Sequence, residues 1–445
     1  MKVKVLSRNP ADYIRECKSD IHKIPRNIDP SLHPFEGARE YTRALNAAKL
    51  ERVFAKPFVG SLDGHTDGVN CMAKFQKSLS LLLSGSCNGE VKLWNLPKKE
   101  CIRSYAAHSG FVRGLAVVPT GEIFISVGDD KLIKHWSWKQ DSSTKSSHLV
   151  HTIVGKTMFQ GVDHHWKDNV YATCGDQVDI WHEDRSEPVR SFQWGVDTVH
   201  SVKFNPVETN LLASTASDRG VVLYDIRGAT PLRKLLMKMR SNTVAWNPME
   251  AFNFTVANED SNLYTYDMRR LDFAVSVHRD HVAAVLDVDY SPTGQEFVSG
   301  SFDKTIRIFP YNQGHSREVY HTKRMQRVFC VKWSPDAEFV LSGSDEMNVR
   351  IWKAEASAKL GPLAPRQKAA LTYNKKLKER YKFHPQVLRI LRHRHVPSAI
   401  YKAAREKRIM LQSRKTREEN RRLHSAEGKV PYVAERKKHI VSVVE

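Results

Sequence analysis

Through the middle of the chain, short runs that alternate apolar and polar residues recur, each ending in or beside an aromatic. The first is Val91-Lys92-Leu93-Trp94-Asn95, followed by Ile133-Lys134-His135-Trp136-Ser137, Val178-Asp179-Ile180-Trp181 and Val221-Val222-Leu223-Tyr224-Asp225. Leu263-Tyr264-Thr265-Tyr266-Asp267, Ile306-Arg307-Ile308-Phe309 and Val349-Arg350-Ile351-Trp352 complete the set. A period of two puts successive side chains on opposite faces, so each run predicts a half-buried strand. The closing aromatics stand at 94, 136, 181, 224, 266, 309 and 352, between 42 and 45 residues apart. Repetition at that length describes seven copies of one supersecondary unit. Outside the repeats the period changes to that of a helix. Tyr41, Leu45 and Ala48 form a stripe between Gly37 and Pro57, which predicts a helix that packs on the repeats or on a partner. A second run starts at Ser398, after Pro397, and continues to about Leu423 with Ile400, Ala404 and Leu411 on one face. Beyond Leu411 it is nearly all charge, so it is expected to become ordered by binding something, such as phosphates.

The repeat length, with four short strands per unit, resembles the WD-repeat family over residues 53–352, and implies an all-β, seven-bladed β-propeller. In that family a His before the inner strand, a Ser on the next, an Asp in the following turn and the Trp of the third strand form a buried hydrogen-bonded chain. His108, Ser126, Asp130 and Trp136 match all four positions. The first repeat has His65, Ser84, Asn88 and Trp94, the sixth has His281, Ser299, Asp303 and Phe309, and the third is one residue short between Asp176 and Trp181. Those repeats are expected to rely more on strand packing than on the polar chain. No outer strand follows Trp352, and Phe58-Val59-Gly60-Ser61-Leu62 precedes the first repeat without a unit of its own. It is expected to supply the missing strand and close the ring. The organisation expected is an N-terminal extension with a short helix (1–57), the propeller (58–355) and a basic helical tail (356–445), whose removal should leave a folded ring.

Charge makes the tail the distinctive part. Across 445 residues, 70 Lys and Arg face 49 Asp and Glu, a net +21, but residues 353–445 alone hold 25 basic against 8 acidic side chains. A nearly neutral body with a cationic extension points to a polyanion, since each cation placed on a phosphate releases condensed counterions. The candidate contacts are Lys375, Lys376, Lys378, Arg380, Tyr381 and Lys382, where aromatics interleave with cations, then Arg392 and Arg394. Along the last predicted helix they continue with Lys402, Arg405, Lys407, Arg408, Arg414, Lys415, Arg417, Arg421 and Arg422. Tyr381 and Phe383 are able to stack on unpaired bases or to anchor the tail. With 41% hydrophobic residues and no apolar run of about 18, a soluble chain without membrane contact is expected. The start of the chain has no secretory apolar stretch, and the six scattered Cys suggest reduced thiols.

Catalytic patterns are scarce. Gly155-Lys156-Thr157 looks like the end of a phosphate loop, but Val150 stands where the pattern needs Gly. Asp163-His164-His165 has no further His or Cys at ligand spacing to join it and reads as a loop or edge segment. The chain is therefore read as a non-enzyme without cofactor or metal.

Two flanking segments narrow the resemblance. His33-Pro34-Phe35-Glu36-Gly37-Ala38-Arg39-Glu40-Tyr41, continuing to Phe58, and the tail from Leu371-Thr372-Tyr373 through His395-Val396-Pro397 are similar to the Sof-type WD-repeat proteins of the small-subunit processome. The resemblance implies a nucleolar scaffold, within the nucleus, for processing the precursor to small-subunit ribosomal RNA. It implies as partners that RNA, a box C/D small nucleolar ribonucleoprotein and other processome proteins. A second resemblance rests on Tyr224-Asp225-Ile226-Arg227 and Tyr266-Asp267-Met268-Arg269, which end consecutive repeats. They are similar to the Asp-x-Arg motifs of WD-repeat substrate receptors of cullin-4 RING ubiquitin ligases, with Tyr where Trp is usual. It implies that Asp225, Arg227, Asp267 and Arg269 contact the ligase adaptor.

Overall fold

In six of the seven repeats, the turn between the second and third strands contains a non-glycine residue or glycine in the left-handed region: Gly89, Lys131, Arg219, Ser261, Lys304 and Met347 have φ between 64° and 89°. An Asp or Asn just before most of these residues bends back on its own backbone. Asp130, Asp218, Asp260 and Asp303 accept from the N–H two residues on at 2.8–3.2 Å, and Asn88 accepts from Glu90 at 2.9 Å. This side-chain cap steadies a turn that would otherwise call for glycine each time. Gly89 is the one obligatory glycine, because a Cβ there would sit 1.9 Å from the His108 carbonyl.

The computed structural model describes residues 30–32, 34–138, 148–195, 197–426 and 428–444. It is a seven-bladed propeller with four α-helices. Blades one to six span 69–106, 112–154, 161–192, 199–237, 241–279 and 285–320. Blade seven joins Val328–Trp333, Phe339–Ser344 and Val349–Lys353 to Phe58–Leu62, with Phe58 opposite Trp352 and Leu62 opposite Val349. Each inner strand touches the next, and that of blade seven returns to blade one. The core lies between neighbouring sheets. Leu83, Val91 and Tyr105 of blade one share a buried cluster with Leu115, Phe124 and Trp136 of blade two.

The polar chain of blade two runs in one direction. Trp136 Nε1 donates to Ser126 Oγ at 3.0 Å, Ser126 Oγ lies 2.8 Å from His108 Nε2, and His108 Nδ1 lies 2.8 Å from Asp130. Burial holds the His108 imidazole below its usual range despite the hydrogen bond to Asp130. The neutral ring therefore accepts from Ser126 and donates to Asp130. More of this chain persists elsewhere than the expectation of packing-dominated blades allows. Blade one keeps Trp94 to Ser84 at 2.7 Å and Ser84 to His65 at 2.6 Å, but Asn88 turns to Thr66, and His65 Nδ1 has no hydrogen bond and lies 4.0 Å from Glu90. Blade six keeps His281 to Asp303 at 2.9 Å and to Ser299 at 2.7 Å. Blade three, with its shortened turn, substitutes Thr173 for Ser, and Trp181 Nε1 donates to it at 2.8 Å.

The chain separates into two compact units. One contains Phe58–Ala354 with His395–Glu445, and the other contains the residues before Phe58 with Glu355–Arg394. The basic tail is thus shared between units. In the smaller, α1 (Glu36–Val53) packs on α2 (Pro365–Arg380) and α3 (Pro385–Arg392), with Ala44, Ala47, Ala48, Leu377 and Val387 buried. Small residues on α1 let the helices approach closely, and Pro at the first position starts both tail helices. The helix expected to cover the repeats or a partner thus packs on the first part of the tail.

In the larger unit α4 (Ser398–Leu423) is followed by a strand, Ile440–Val444, that the sequence reading did not foresee. It pairs antiparallel with the outer strand of blade four, Leu235 opposite Val443 and Met237 opposite Ile440, making a five-stranded sheet. His439 is buried beside it, stacked on Tyr264 at 3.7 Å and 2.6 Å from the Tyr266 hydroxyl of blade five. Removing 356–445 would uncover these groups. The end of the tail is thus packed into the propeller unit.

Candidate interaction surfaces

The two Asp-x-Arg ends adopt the same local structure on adjacent blades. Asp225 accepts the Arg227 backbone N–H at 2.9 Å and its guanidinium at 2.9 and 3.1 Å. Asp267 accepts the Arg269 N–H at 2.9 Å and its guanidinium at 2.8 and 3.0 Å. These forked hydrogen bonds hold both carboxyls below the usual carboxylate range. The Arg side chains remain 71% and 61% exposed, so each loop presents a braced cation to solvent. Arg269 also lies over the Phe252 ring at 4.3 Å.

Two further arginines, not singled out in the sequence, build these loops. Arg190, on the outer strand of blade three, donates to the Ile226 and Gly228 carbonyls at 2.7 and 2.6 Å. Arg233, on the outer strand of blade four, donates to the Arg269 carbonyl at 3.1 Å. Arg103 reaches Trp138 at 3.2 Å and Arg317 reaches Ala354 at 2.9 Å in the same way. An Arg on or just before one blade's outer strand thus caps carbonyls that follow the next blade's third strand. The signal is present in the sequence as an Arg about 36 residues before each capped carbonyl.

The tail cations fall into two groups. In the smaller unit Lys378 pairs with Glu51, Arg380 with Glu40 at 2.6 Å, and the Tyr381 hydroxyl lies 3.2 Å from Glu40. Arg394 donates to the Leu391 and His393 carbonyls, while Lys375, Lys376, Lys382 and Arg392 are exposed. In the larger unit Lys407 turns inward, donating to Ser261 Oγ and, at 3.0 Å, to the His281 carbonyl. This fixes α4 to blades five and six, and burial lowers the Lys407 pKa. Lys402, Arg405, Arg408, Arg414, Lys415, Arg417 and Arg421 stay exposed on α4, which buries no side chain, and Arg422 is half-buried.

An open cavity of about 500 Å³ at the centre of the ring carries charges from several inner strands. Lys74 pairs with Asp289 at 3.0 Å, Lys203 with Asp163 at 2.7 Å, and Asp289 also accepts the Trp333 N–H at 2.8 Å. His164 ends the innermost, edge strand of blade three, Gly161–His164, and His165 follows it, both of them buried. His164 bonds Glu183 at 2.7 Å, and His165 Nδ1 accepts the Asp168 N–H at 2.8 Å.

A Sof1-like domain model matches residues 354–440, and the WD domain, G-beta repeat model matches 56–95, 99–137, 274–309 and 314–353. Full-length alignment with proteins named "DDB1- and CUL4-associated factor 13" gives 62% identity for Xenopus tropicalis and 60% for Homo sapiens, covering all of both chains. "Protein SOF1" of Saccharomyces cerevisiae is 47% identical over all of this chain and 95% of its own. The chain belongs to the Sof1-like family of WD-repeat proteins. Its repeat matches omit blades three to five. There the turn is short or the Trp is replaced by Tyr224 and Tyr266, so the family's polar chain is least complete where the structure continues the ring without interruption.

Proposed function

We propose that the protein is a non-catalytic nuclear and nucleolar scaffold of the small-subunit processome. It would act in processing the precursor to small-subunit ribosomal RNA, in contact with that RNA, a box C/D small nucleolar ribonucleoprotein and other processome proteins. The observation that carries this reading is α4. It is a long helix anchored to the ring through Lys407, with Lys402, Arg405, Arg408, Arg414, Arg417 and Arg421 exposed to solvent. A helix held in place with its charges free is ready to bind phosphates without first ordering itself. Membership of the Sof1-like family supports the same reading.

A second role, as substrate receptor of a cullin-4 RING ligase, is favoured by the matched Arg227 and Arg269 loops. The printed names of the vertebrate relatives, which speak of association with DDB1 and CUL4, add support. The fork of each Arg suits a carboxylate on an adaptor.

The test is depletion of the endogenous protein with rescue by three forms. These are the full chain, one with Arg405, Arg408, Arg414 and Arg417 changed to Gln, and the Arg227→Ala/Arg269→Ala double variant. Small-subunit precursors should accumulate on depletion and be cleared by the double Ala variant but not by the Gln variant. Adaptor co-precipitation should show the opposite pattern. Unchanged precursors on depletion would refute the processing role and leave the ligase receptor as the reading.

A further inference from the structure

Beyond the exposed face of α4, its last turns join the segment that follows to form a cavity of about 420 Å³. The cations around it are Lys238 at the edge of blade four, Arg421, Arg422, Lys437 and Lys438, against one carboxylate, Glu418. Val430, Pro431, Tyr432, Val433 and Ile440 supply apolar walls. The single acid does not balance the set. Glu418 is taken by Lys438 at 2.6 Å, and Lys438 also pairs with Glu435 at 3.1 Å. Among the described residues Lys238, Arg421 and Lys437 have no carboxylate partner. Three unpaired cations beside apolar walls are a standing demand for an anion, since nearby apolar surface weakens solvent screening.

The carbonyl end of α4 would oppose an anion here, but the protein takes up some of those groups. Arg422 Nε donates to the Glu418 carbonyl at 3.2 Å and Ser425 Oγ to the Arg421 carbonyl at 2.5 Å. The remaining feature is Tyr432, 71% exposed, with the Arg422 guanidinium 4.9 Å from its ring centre. An aromatic ring left in water and backed by a cation is a platform for a flat, electron-rich group. An acidic peptide would satisfy the cations and leave the ring unused. A nucleotide with an unpaired base uses both, whereas the bases of a duplex are stacked away from such a ring.

We propose that this cavity binds single-stranded RNA, one base stacked on Tyr432 and the flanking phosphates on Lys238, Arg421 and Lys437. It deepens the ribonucleoprotein reading, on which it rests, by assigning a site that includes a propeller residue and the chain's last segment. Fluorescence anisotropy of the full chain with a labelled eight-nucleotide oligouridylate tests it. Tyr432→Leu should weaken binding about tenfold, within the range for loss of one stacked base, while Tyr432→Phe should bind like the unchanged protein. Lys238→Gln with Lys437→Gln should lower the slope of log affinity against log salt by about 1.4, two phosphates at roughly 0.7 each. Unaltered binding by Tyr432→Leu, equal loss of an RNA duplex, or displacement of the oligonucleotide by polyglutamate at matched charge would overturn the proposal, the last favouring an acidic peptide.

Photocrosslinking 5-bromouridine RNA to the unsubstituted chain avoids any effect of substitution on folding. Adducts within 430–438 support the site, and adducts confined to other segments refute it. The two readings fail separately. Depletion without precursor accumulation refutes the processing role while leaving oligonucleotide binding through Tyr432 intact. Precursor accumulation together with normal binding by Tyr432→Leu refutes this site alone.

Discussion

Lys378 and Arg380 in α2 and Arg414 and Arg417 in α4 are alike in the sequence, helical cations in one strongly basic segment. They differ in what faces them. In the smaller unit Glu40 and Glu51 of α1 meet Arg380 and Lys378 of α2, so that these two charges are spent on holding helices together, while Lys375 and Lys376 of the same helix stay exposed. In the larger unit α4 is fixed by Lys407, whose contacts are a hydroxyl and a carbonyl, and most of its other cations, Arg414 and Arg417 among them, face solvent. A net charge of +21 therefore overstates what is on offer to a polyanion. The available charge is that without a carboxylate beside it, and the sequence places the two kinds within 40 residues of each other.

The largest effect should separate the two halves directly. Changing Arg405, Arg408, Arg414 and Arg417 to Gln removes about four phosphate contacts and should weaken RNA binding about 100-fold at 0.15 M salt, with the thermal midpoint unchanged. Lys378→Gln with Arg380→Gln should leave affinity within about threefold. It should instead increase amide exchange in α1, because Glu51 loses a partner in a half-buried setting where an ion pair is worth about 1 kcal/mol. Filter binding across a salt series and hydrogen exchange read the two outcomes. Equal losses of affinity would erase the distinction between paired and free cations.

A smaller effect concerns how the last strand is held. Burial lowers the His439 pKa from 6.5 to about 4, so the docked ring is neutral at pH 7 and an undocked ring takes up a proton first as pH falls. Docking of Ile440–Val444 should therefore be at full strength above pH 6.5 and weaken progressively toward pH 4. The groups around it are Tyr264, Tyr266, Lys238, Arg279 and Glu435. Burial works to raise the Glu435 carboxyl, but hydrogen bonds from Lys438 and Arg279 hold it below its usual range. Hydrogen exchange at 440–444, corrected for intrinsic rate, should rise about tenfold from pH 6.5 to 4.5 in the native chain. In His439→Phe it should stay flat, since that ring stacks without titrating. A pH response retained by the Phe variant would place the sensor elsewhere.

The ring was legible because its constraint repeats. Every blade must bury an alternating third strand and close a tight turn, so the aromatics return every 42 to 45 residues even where His, Asp or Trp is replaced. The helix from Ser398 to Leu423 was legible from its start after Pro397 and from the spacing of Ile400, Ala404 and Leu411. What escaped notice were pairings between distant segments. Ile440–Val444 is an ordinary apolar run until blade four offers an edge, and nothing local to Ala44, Ala47 and Ala48 says that Leu377 and Val387 share their unit. Arg190 and Arg233 were missed for a different reason. Their signal lies in register between blades, and comparing repeats only at their aromatics does not expose it.

The smallest effect belongs to Arg227 and Arg269, which stand between the two classes of cation because each is exposed yet bound to an acid two residues away. Such a pair is nearly preformed by the loop and largely solvated, so Arg227→Ala and Arg269→Ala should each leave stability close to that of the unsubstituted chain. Arg233→Ala removes the brace beneath the second loop and uncaps the Arg269 carbonyl, which should cost about 1–2 kcal/mol. Chemical denaturation of the three variants orders them. If Arg227→Ala proves as damaging as Arg233→Ala, the exposed Arg is a structural brace and its availability to an adaptor falls with it. If the exposed pair is energetically silent, its fork is free to exchange Asp225 for a carboxylate on another protein at little cost to the ring.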